Sequence, residues 1–320
     1  DGRYAFINYE LGYDKFFVTN IGSRNYYNKP VPDYNGFFNP DDLVYWDACD
    51  EIEPDEERDI KAEELYEEFK KDVYKLTNIN LSLYKERQMK RRIESLVARK
   101  GYDGFESFFQ GMKQDDVLLR TFVGYLTINV SQFYRNPMQW EHFESIIIPY
   151  LKENYGENIS IWSAACSTGD EPYTIAMIMS KYFSLDKIKI TATDIDDDVL
   201  AFADAGIYSA KSLVDLPKEY LDAHFKKVDD KNYAISDKIK KCVTFKKHNL
   251  LEDKYFTNMS MIVCRNVVIY FTDEAKDKVY KNFHDSLRDN GILFIGSTEQ
   301  ILRAKELGFE TLKTFFYKKK

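Results

Sequence analysis

The 320-residue sequence has no apolar run approaching the roughly 18 residues that a membrane-spanning helix needs. Its mean hydropathy is −0.49. The N-terminus also lacks the basic, apolar and small-residue pattern of a secretory leader. From these absences we expect no membrane insertion and a cytoplasmic location.

Two common sequence signatures are also missing. The four cysteines are far apart, with no C-x-x-C pair and no histidine at ligand spacing, so neither a disulfide framework nor a metal site is expected. No G-x-G-x-x-G stretch is present, which argues against a dinucleotide phosphate loop and hence against a phosphate-binding dehydrogenase.

Positive charge is in short supply, since the formal net charge is −8. A general nucleic-acid binder needs a basic surface to release counterions from phosphates, so we expect no nucleic-acid partner. The acidity lies in residues 1–59, which hold 14 of the 53 acids and 5 of the 45 bases. Residues 60–320 are near neutral, with 39 acids and 40 bases.

The pattern of the chain predicts four regions. Residues 1–59 are aromatic-rich and end in an acidic run, so they form either a small appendage packed on the main body or a module for an additional signalling partner. Residues 60–126 place apolar side chains at three- and four-residue steps, which predicts a helical N-terminal domain. Residues 127–158 connect it to a larger domain over 159–320.

The second predicted helix of the N-terminal domain carries a concentration of basic residues. Such a run is typical of a solvated helix face, but it also fits a docking face for an acidic helical partner. The candidate docking residues are Lys90, Arg91, Arg92 and Arg99.

From residue 159 onward, short β-rich apolar runs alternate with helical stretches, which predicts an α/β fold with a doubly wound, mostly parallel sheet. Ligands in such folds bind at the carboxyl ends of the strands. The predicted strands are 159–164, 188–193, 243–245, 259–264 and 291–296, and the predicted helices are 171–182, 197–205 and 273–287.

The first predicted strand leads into a helix through the small residues of WSAACSTGDEPY, residues 162–173. Small residues let a ligand approach the backbone, and a helix N-terminus offers unpaired N–H groups. The acids Asp170 and Glu171 would repel a pyrophosphate but suit a cationic or hydroxyl-rich ligand. S-adenosylmethionine (SAM), which has a sulfonium, an ammonium and no phosphate, fits this pattern.

Polar residues also end two further predicted strands. Asp194 follows the second strand, where a carboxylate typically accepts hydrogen bonds from both ribose hydroxyls, although it could instead cap the next helix. We assign it to the ribose and the cap to Asp196 or Asp197. Arg265 and Asn266 end a buried strand, which indicates a cleft, with an ordinary structural network as the alternative.

Together these motifs resemble the chemotaxis receptor glutamate O-methyltransferases of the CheR family, from about residue 60 to the C-terminus. Residues 1–59 have no recognisable counterpart. The resemblance rests on NVSQFYR at 129–135, WSAACSTGDEPY at 162–173, ATDID at 192–196, NLL at 249–251, CRNVVIYF at 264–271 and GSTE at 296–299.

The resemblance implies a class I SAM-dependent methyltransferase domain, Rossmann-like, with a small inserted β-subdomain near 206–245 and an all-α domain before it. It also implies linker helices over 127–158 and cofactor contacts from several segments, one of them the linker helix. Tyr270 would lie near the transferred methyl group, and with Arg135 it is a catalytic candidate. The cofactor-binding residues would be Asn129, Ser131, Arg135, Glu171, Asp194, Asn249, Leu250, Arg265 and Asn266.

A few positions depart from the family pattern. Ser131 stands where threonine is common, Tyr134 where phenylalanine is common, and Asp170 where glutamate is common, but each keeps the polar or aromatic character. An arginine that the family often places before the first strand has only Lys152 in its neighbourhood. No specific role near the acceptor is therefore assigned to that position.

The implied function is methylation of glutamates on chemotaxis receptors, with SAM as cofactor and S-adenosylhomocysteine (SAH) as product. The partner would be the helical cytoplasmic domain of a receptor. Two alternatives stay open at this point: a SAM-binding scaffold without turnover, and a methyltransferase for another protein or a small molecule, because fold does not fix the substrate.

Overall fold

The computed structural model describes residues 56–320, with side chains from residue 61 onward. The expectations for residues 1–55, including the appendage or partner module, lie outside this part of the chain. Among the described residues, no helix combines the length and the apolar character needed to cross a membrane.

Four helices occupy the range where sequence periodicity predicts them: α1 Glu56–Thr77, α2 Glu86–Arg99, α3 Phe105–Gln114 and α4 Asp116–Thr127. Their apolar faces meet around Phe108 and Phe122, whose ring centroids are 5.8 Å apart. The Asp115 side chain accepts the N–H groups of Val117 and Leu118 and so begins α4. The helices enclose an apolar core of their own.

The chain between α4 and the sheet is only partly helical. Residues 128–136 form no helix, because Ile128 ends α4 in the left-handed region and Asn136, also left-handed, precedes a proline. The prediction of a linker helix carrying the cofactor residues was therefore wrong for this stretch. Helical structure resumes in α5 Pro137–His142, continues through a π turn at Phe143–Ile147 and ends with α6 Ile148–Tyr155.

The rest of the chain alternates strands with helices. The strands are β1 Ser160–Ala164, β2 Lys189–Asp194, β3 Ile207–Ser209, β4 Phe225–Lys227, β5 Asn232–Ile235, β6 Val243–Lys247, β7 Met259–Cys264, β8 Leu287–Ile295, β9 Phe309–Lys313 and β10 Phe316–Lys319. The helices are α7 Asp170–Met179, α8 Asp197–Ala205, α9 Lys218–His224, α10 Asp237–Lys240 and α11 Asp273–Ser286.

Seven of these strands form the main sheet, in the order β6-β2-β1-β7-β8-β10-β9. The five strands from β6 to β8 are parallel, and β10 and β9 add an antiparallel edge. In this register Ser163 of β1 lies beside Ala192 of β2 on one side and Val263 of β7 on the other. The strand order reverses direction between β1 and β7, which places the ligand site of such a sheet at their carboxyl ends.

The structure confirms the α/β class and adjusts the predicted elements. Strand β7 and helix α8 have the predicted bounds, whereas β8 begins four residues before residue 291, and α7 ends at Met179 rather than at 182. A three-stranded sheet, β3-β5-β4, forms the insertion. Residues 243–245, which the predicted insertion included, belong to β6 of the main sheet, where Val243 pairs with Ile190.

The turn from β1 to α7 requires glycine at position 169. Gly169 has φ +86°, and a Cβ there would lie 2.7 Å from Ala203 Cβ and 3.1 Å from the Tyr208 hydroxyl. Gly101 has φ +76° but open space around its missing Cβ. The two glycines thus share a left-handed backbone and differ in crowding.

We expect Gly101→Ala to lower the free energy of unfolding by about 1 kcal/mol, the cost of a left-handed alanine. Gly169→Ala combines that cost with overpacking and should lose about 3 kcal/mol in total. Urea denaturation of the two variants measures the difference. Equal losses would contradict the crowding seen at Gly169.

Candidate active site

A cleft opens at the carboxyl ends of β1, β2 and β7, and the non-helical stretch 128–136 borders it. Residues from distant parts of the chain meet there. Every residue assigned above to catalysis or to the cofactor lines this cleft: Asn129, Ser131, Arg135, Glu171, Asp194, Asn249, Leu250, Arg265, Asn266 and Tyr270.

Asp194, at the end of β2, lies beneath the loop that follows β1. One carboxylate oxygen accepts the Ser167 N–H at 2.8 Å, and the other accepts the Asp196 N–H at 3.1 Å. Only 5% of the residue is exposed. Burial, which disfavours the charged form, raises the pKa of Asp194 to about 6, although these N–H groups oppose the shift. Each oxygen keeps a lone pair for a ligand hydroxyl.

A buried ion pair forms the floor of the cleft. Glu171, in the first turn of α7, lies 3.5 Å from an Arg265 guanidinium nitrogen and accepts the Ser163 hydroxyl at 2.8 Å. Burial raises the pKa of Glu171, and the Arg265 charge opposes that shift. Burial likewise lowers the pKa of Arg265, and Glu171 opposes it. Each charge thus offsets part of the cost of burying the other.

Arg265 also holds the chain that enters α5. Its guanidinium donates to the Arg135 carbonyl at 2.8 Å and to the Gln139 side-chain oxygen at 2.6 Å. The same group stacks between the rings of Trp140 and Phe294, at 5.0 and 4.9 Å from their centroids. Arg265 thereby fixes the segment that brings Arg135 to the cleft.

Asn129 joins the non-helical stretch to the turn after β2. Its amide nitrogen donates to Asp196 at 2.9 Å and to the Thr127 hydroxyl at 2.8 Å. Asp196 also accepts the Asp198 N–H and begins α8, which confirms one of the two residues predicted to cap this helix. The assigned residue Asn129 thus bonds to the same turn that carries Asp194.

The side chain of Asn249 is bonded at both ends. Its oxygen accepts the Leu251 N–H at 3.0 Å, and its nitrogen donates to the Asn78 carbonyl, just after α1, at 2.9 Å. Leu250 beside it is 7% exposed and presents an apolar surface to the cleft. In this arrangement Asn249 positions the wall of the cleft, to which Leu250 contributes.

Glu299 is the last residue of the GSTE motif, and the sequence pattern predicts no role for it. The buried Glu299 carboxylate accepts the N–H groups of Gly296, Asn266 and Val267, at 2.6, 2.9 and 3.0 Å. Burial raises its pKa, while these donors oppose the shift. Glu299 thereby holds the left-handed turn of Asn266, φ 61°, at the cleft.

Sequence reasoning also missed Tyr84, which lies before α2 and lines the cleft. An aromatic residue at the start of an amphipathic helix resembles any core residue, so the periodicity gave no signal for it. Tyr270, assigned from the motif, lies in the short 3₁₀ turn Val268–Tyr270 near Tyr84. The helical part of the chain therefore contributes to the same cleft as the sheet.

The four basic docking candidates lie on α2, and none of them lines the cleft. Lys90 pairs with Glu63 at 2.6 Å, and Arg92 donates to the Tyr125 carbonyl at 2.6 Å. The Arg99 guanidinium lies over the Tyr125 ring, 4.8 Å from its centroid. Arg91 is exposed, and among residues 61–320 it has no hydrogen-bond or ion-pair partner.

Comparison with known proteins gives consistent matches. The family model for the CheR methyltransferase SAM-binding domain matches residues 129–316, and the model for the CheR all-alpha domain matches residues 64–127. A chemotaxis protein methyltransferase of Listeria monocytogenes is 41% identical over 259 residues, covering 81% of this chain and 98% of that protein. One of Borreliella burgdorferi is 33% identical over 249 residues, covering 74% and 88%.

The residues of the cleft suit the cofactor of the matched domain. SAM carries a ribose, an ammonium, a carboxylate and a sulfonium. Asp194 offers free lone pairs to hydroxyl groups, Glu171 offers a carboxylate to the ammonium, and Arg135 offers a cation to the carboxylate. The side-chain Nε of Arg265 is buried without a partner among the described residues, so one more polar contact is available there.

The Glu299 contacts generate a prediction for stability. Glu299→Gln replaces one acceptor oxygen by an NH₂ group that faces N–H donors, so the variant should lose about 2 kcal/mol of unfolding free energy. Glu306→Gln, an exposed change in the same segment, should alter it by less than about 0.5 kcal/mol. Urea denaturation midpoints of both variants measure these changes. A midpoint for Glu299→Gln equal to that of the parent protein would show that Glu299 does not stabilise the turn at Asn266.

Proposed function

The chain belongs to the CheR family of methyltransferases and uses SAM, and we propose that it methylates glutamate side chains on the cytoplasmic helical domain of chemotaxis receptors. The products are glutamate methyl esters and SAH. The observation that carries the proposal is the meeting of all ten assigned residues at one cleft. The proposal also places the enzyme in the cytoplasm, where that receptor domain lies.

The chemistry makes modest demands on the protein. A glutamate has an ordinary pKa of about 4.3 and is ionised at pH 7, so the transfer needs no general base. Bound SAM supplies a methyl group on a positively charged sulfur. With Asp194, Glu171 and Arg135 holding the cofactor, a carboxylate oxygen of the receptor would bond to this methyl while the sulfur–methyl bond broke and left its electron pair on the sulfur of SAH. The protein has to orient the carboxylate and exclude water.

Tyr270 and Arg135 are the residues that we assign to this orientation. Both residues line the cleft, and a hydrogen bond fixes the main chain of each. The Tyr270 carbonyl accepts the Lys85 N–H, and the Arg135 carbonyl accepts the Arg265 guanidinium. The Tyr270 hydroxyl can donate to the acceptor carboxylate. The Arg135 cation can bind the acceptor or the amino-acid end of the cofactor.

The docking surface that we propose for the receptor is the basic face of α2, consisting of Lys90, Arg91, Arg92 and Arg99. Receptor helices that carry methylation-site glutamates are acidic, so opposite charges would favour the encounter. Three of the four residues have contacts within the protein, which hold them in place, while Arg91 is exposed.

The test is incubation of the purified protein with methyl-labelled SAM and a receptor cytoplasmic fragment, followed by mild alkali. Carboxyl methyl esters hydrolyse in alkali and release volatile labelled methanol, which is the expected result. Label that stays on the protein would point to another acceptor atom. Cofactor binding without any transfer would favour a scaffold or a different acceptor over the proposed function.

Asp194 gives a pH-dependent prediction. Because its pKa is raised to about 6, the carboxylate gains a proton as the pH falls through that value and loses its capacity to accept two ribose hydroxyls. The SAH dissociation constant should therefore rise below about pH 6. Asp194→Asn should weaken binding at pH 7.5 by about 10- to 100-fold, the value of charged hydrogen bonds, and flatten this pH profile.

Calorimetric titration from pH 5 to pH 8 measures the effect. The matched control is Asp197→Asn, which removes a carboxylate three residues away that is exposed and pairs with Lys247. Its affinity and pH profile should follow the parent protein. If the SAH dissociation constant of Asp194→Asn depended on pH in the same way as that of the parent protein, a group other than Asp194 would be responsible.

Arg91 gives a prediction for docking. Arg91→Glu should raise KM for the receptor fragment about fivefold at low salt with kcat unchanged, and the effect should shrink in 0.5 M salt because exposed charges are screened. The control is Arg120→Glu, an equal charge change at an exposed site of α4. Steady-state kinetics with both variants measures the KM values. Equal values for the two would show that Arg91 takes no part in docking.

A further inference from the structure

One residue of the helical part, Tyr84, lines the cleft but has no role in the proposed function. Tyr84 lies between the 3₁₀ turn Leu81–Leu83 and α2, and it lines the cleft together with Asp194 and Leu250. It is half-buried, so part of the side chain faces the open space. Its placement in the site comes from the fold alone, since it belongs to none of the motifs quoted above.

Main-chain contacts on both sides fix the position of Tyr84. The Lys85 N–H donates to the Tyr270 carbonyl at 2.9 Å, and the Thr272 N–H donates to the Leu83 carbonyl, also at 2.9 Å. These bonds form an isolated antiparallel bridge between Tyr84 and Phe271. We call the segment Leu83–Lys85 the clamp, because it grips the chain on either side of Phe271.

The ring of Tyr84 is held as firmly as its backbone. Its centroid lies 5.3 Å from that of Phe271, with the ring planes at 84°, the edge-to-face geometry that aromatic pairs prefer. Phe271 is itself buried in the core beneath the sheet. With the ring fixed, the hydroxyl has a defined place in the cleft.

The hydroxyl is the part of Tyr84 that lacks a partner. Among residues 61–320 no hydrogen bond to it is present, and it is not one of the fully enclosed hydroxyls, so it is open to a ligand entering the cleft. Burial and the nearby Asp194 carboxylate raise the pKa of Tyr84, so the group stays a neutral phenol that can donate and accept. A polar ligand between Tyr84 and Asp194 would satisfy both groups.

We propose that Tyr84 is a cofactor-binding residue, whose hydroxyl contacts the nucleoside part of the cofactor opposite Asp194. The proposal rests on the assignment of Asp194 to the ribose and not on the identity of the methyl acceptor. In this proposal, both the helical part and the sheet contribute residues that contact the cofactor. Bound nucleoside would then restrain the clamp, and with it the start of α2, which follows at Glu86.

The test is the affinity of Tyr84→Phe for SAH and for 5′-methylthioadenosine, measured by calorimetry. Phenylalanine keeps the ring contact with Phe271 and removes only the hydroxyl. We expect about fivefold weaker binding of both ligands, because methylthioadenosine shares the nucleoside and lacks the amino-acid end. Unchanged SAH affinity would overturn the proposal, and so would a loss confined to SAH.

The matched control is Tyr280→Phe, which removes the hydroxyl of a buried tyrosine on α11 that does not line the cleft. It should bind both ligands as the parent protein does. Thermal denaturation of each variant separates loss of binding from loss of fold. Both readouts are binding constants, so they stand apart from the receptor methylation assay, and a failure of that assay would leave this test unaffected.

A second pair of variants tests whether the clamp positions Tyr84. Lys85→Pro removes the N–H that bonds Tyr270, and the backbone accepts proline there, because Lys85 has φ −59° and Tyr84 is extended, at φ −102° and ψ 156°. Lys85→Ala removes the same charge and keeps the N–H. We expect Lys85→Pro to weaken SAH binding about threefold or more relative to Lys85→Ala, and this difference to shrink when Tyr84 is already phenylalanine, because Lys85 then has no hydroxyl left to position. Equal affinities for the two would show that the clamp does not position Tyr84.

Discussion

One buried guanidinium determines how the cleft is assembled. Arg265 directly follows β7, pairs with Glu171 of α7 and donates to the main chain at Arg135, so three segments far apart in the sequence meet on one side chain. Removing charges from water is costly, and a buried ion pair often adds little net stability. Its value here is geometric. The fixed fork of an arginine sets the direction of each partner, as a flexible lysine could not.

The helical part and the sheet meet at several points around this centre. Asn249 reaches the Asn78 carbonyl, the clamp bonds the chain on either side of Phe271, and Asn129 bonds Asp196. Each contact lies within a few residues of one that faces the cleft. The helical part and the sheet therefore build the site jointly.

The sequence predicted the elements that depend on local pattern and missed those that depend on tertiary contacts. The strands at 160–164 and 259–264 are short apolar runs bounded by polar residues, and periodicity finds them. The non-helical path from Ile128 to Asn136 was missed because left-handed residues other than glycine leave no pattern in the sequence. Tyr84 and Glu299 act through partners far along the chain, so neither could be assigned from its neighbours.

The parallel order of the sheet also has a consequence for the time at which the site can exist. Strand β1 is flanked by β7, and Ser163 pairs with Val263, a hundred positions later in the chain. The helices α1–α4 close an apolar core from local contacts and can fold early, whereas pairings of long sequence separation form slowly. On a ribosome that synthesises the chain from its N-terminus, the helices α1–α4 are complete long before β7 emerges. The nascent chain would thus pass through a stage in which its helical core is folded but the cleft between β1 and β7 does not yet exist.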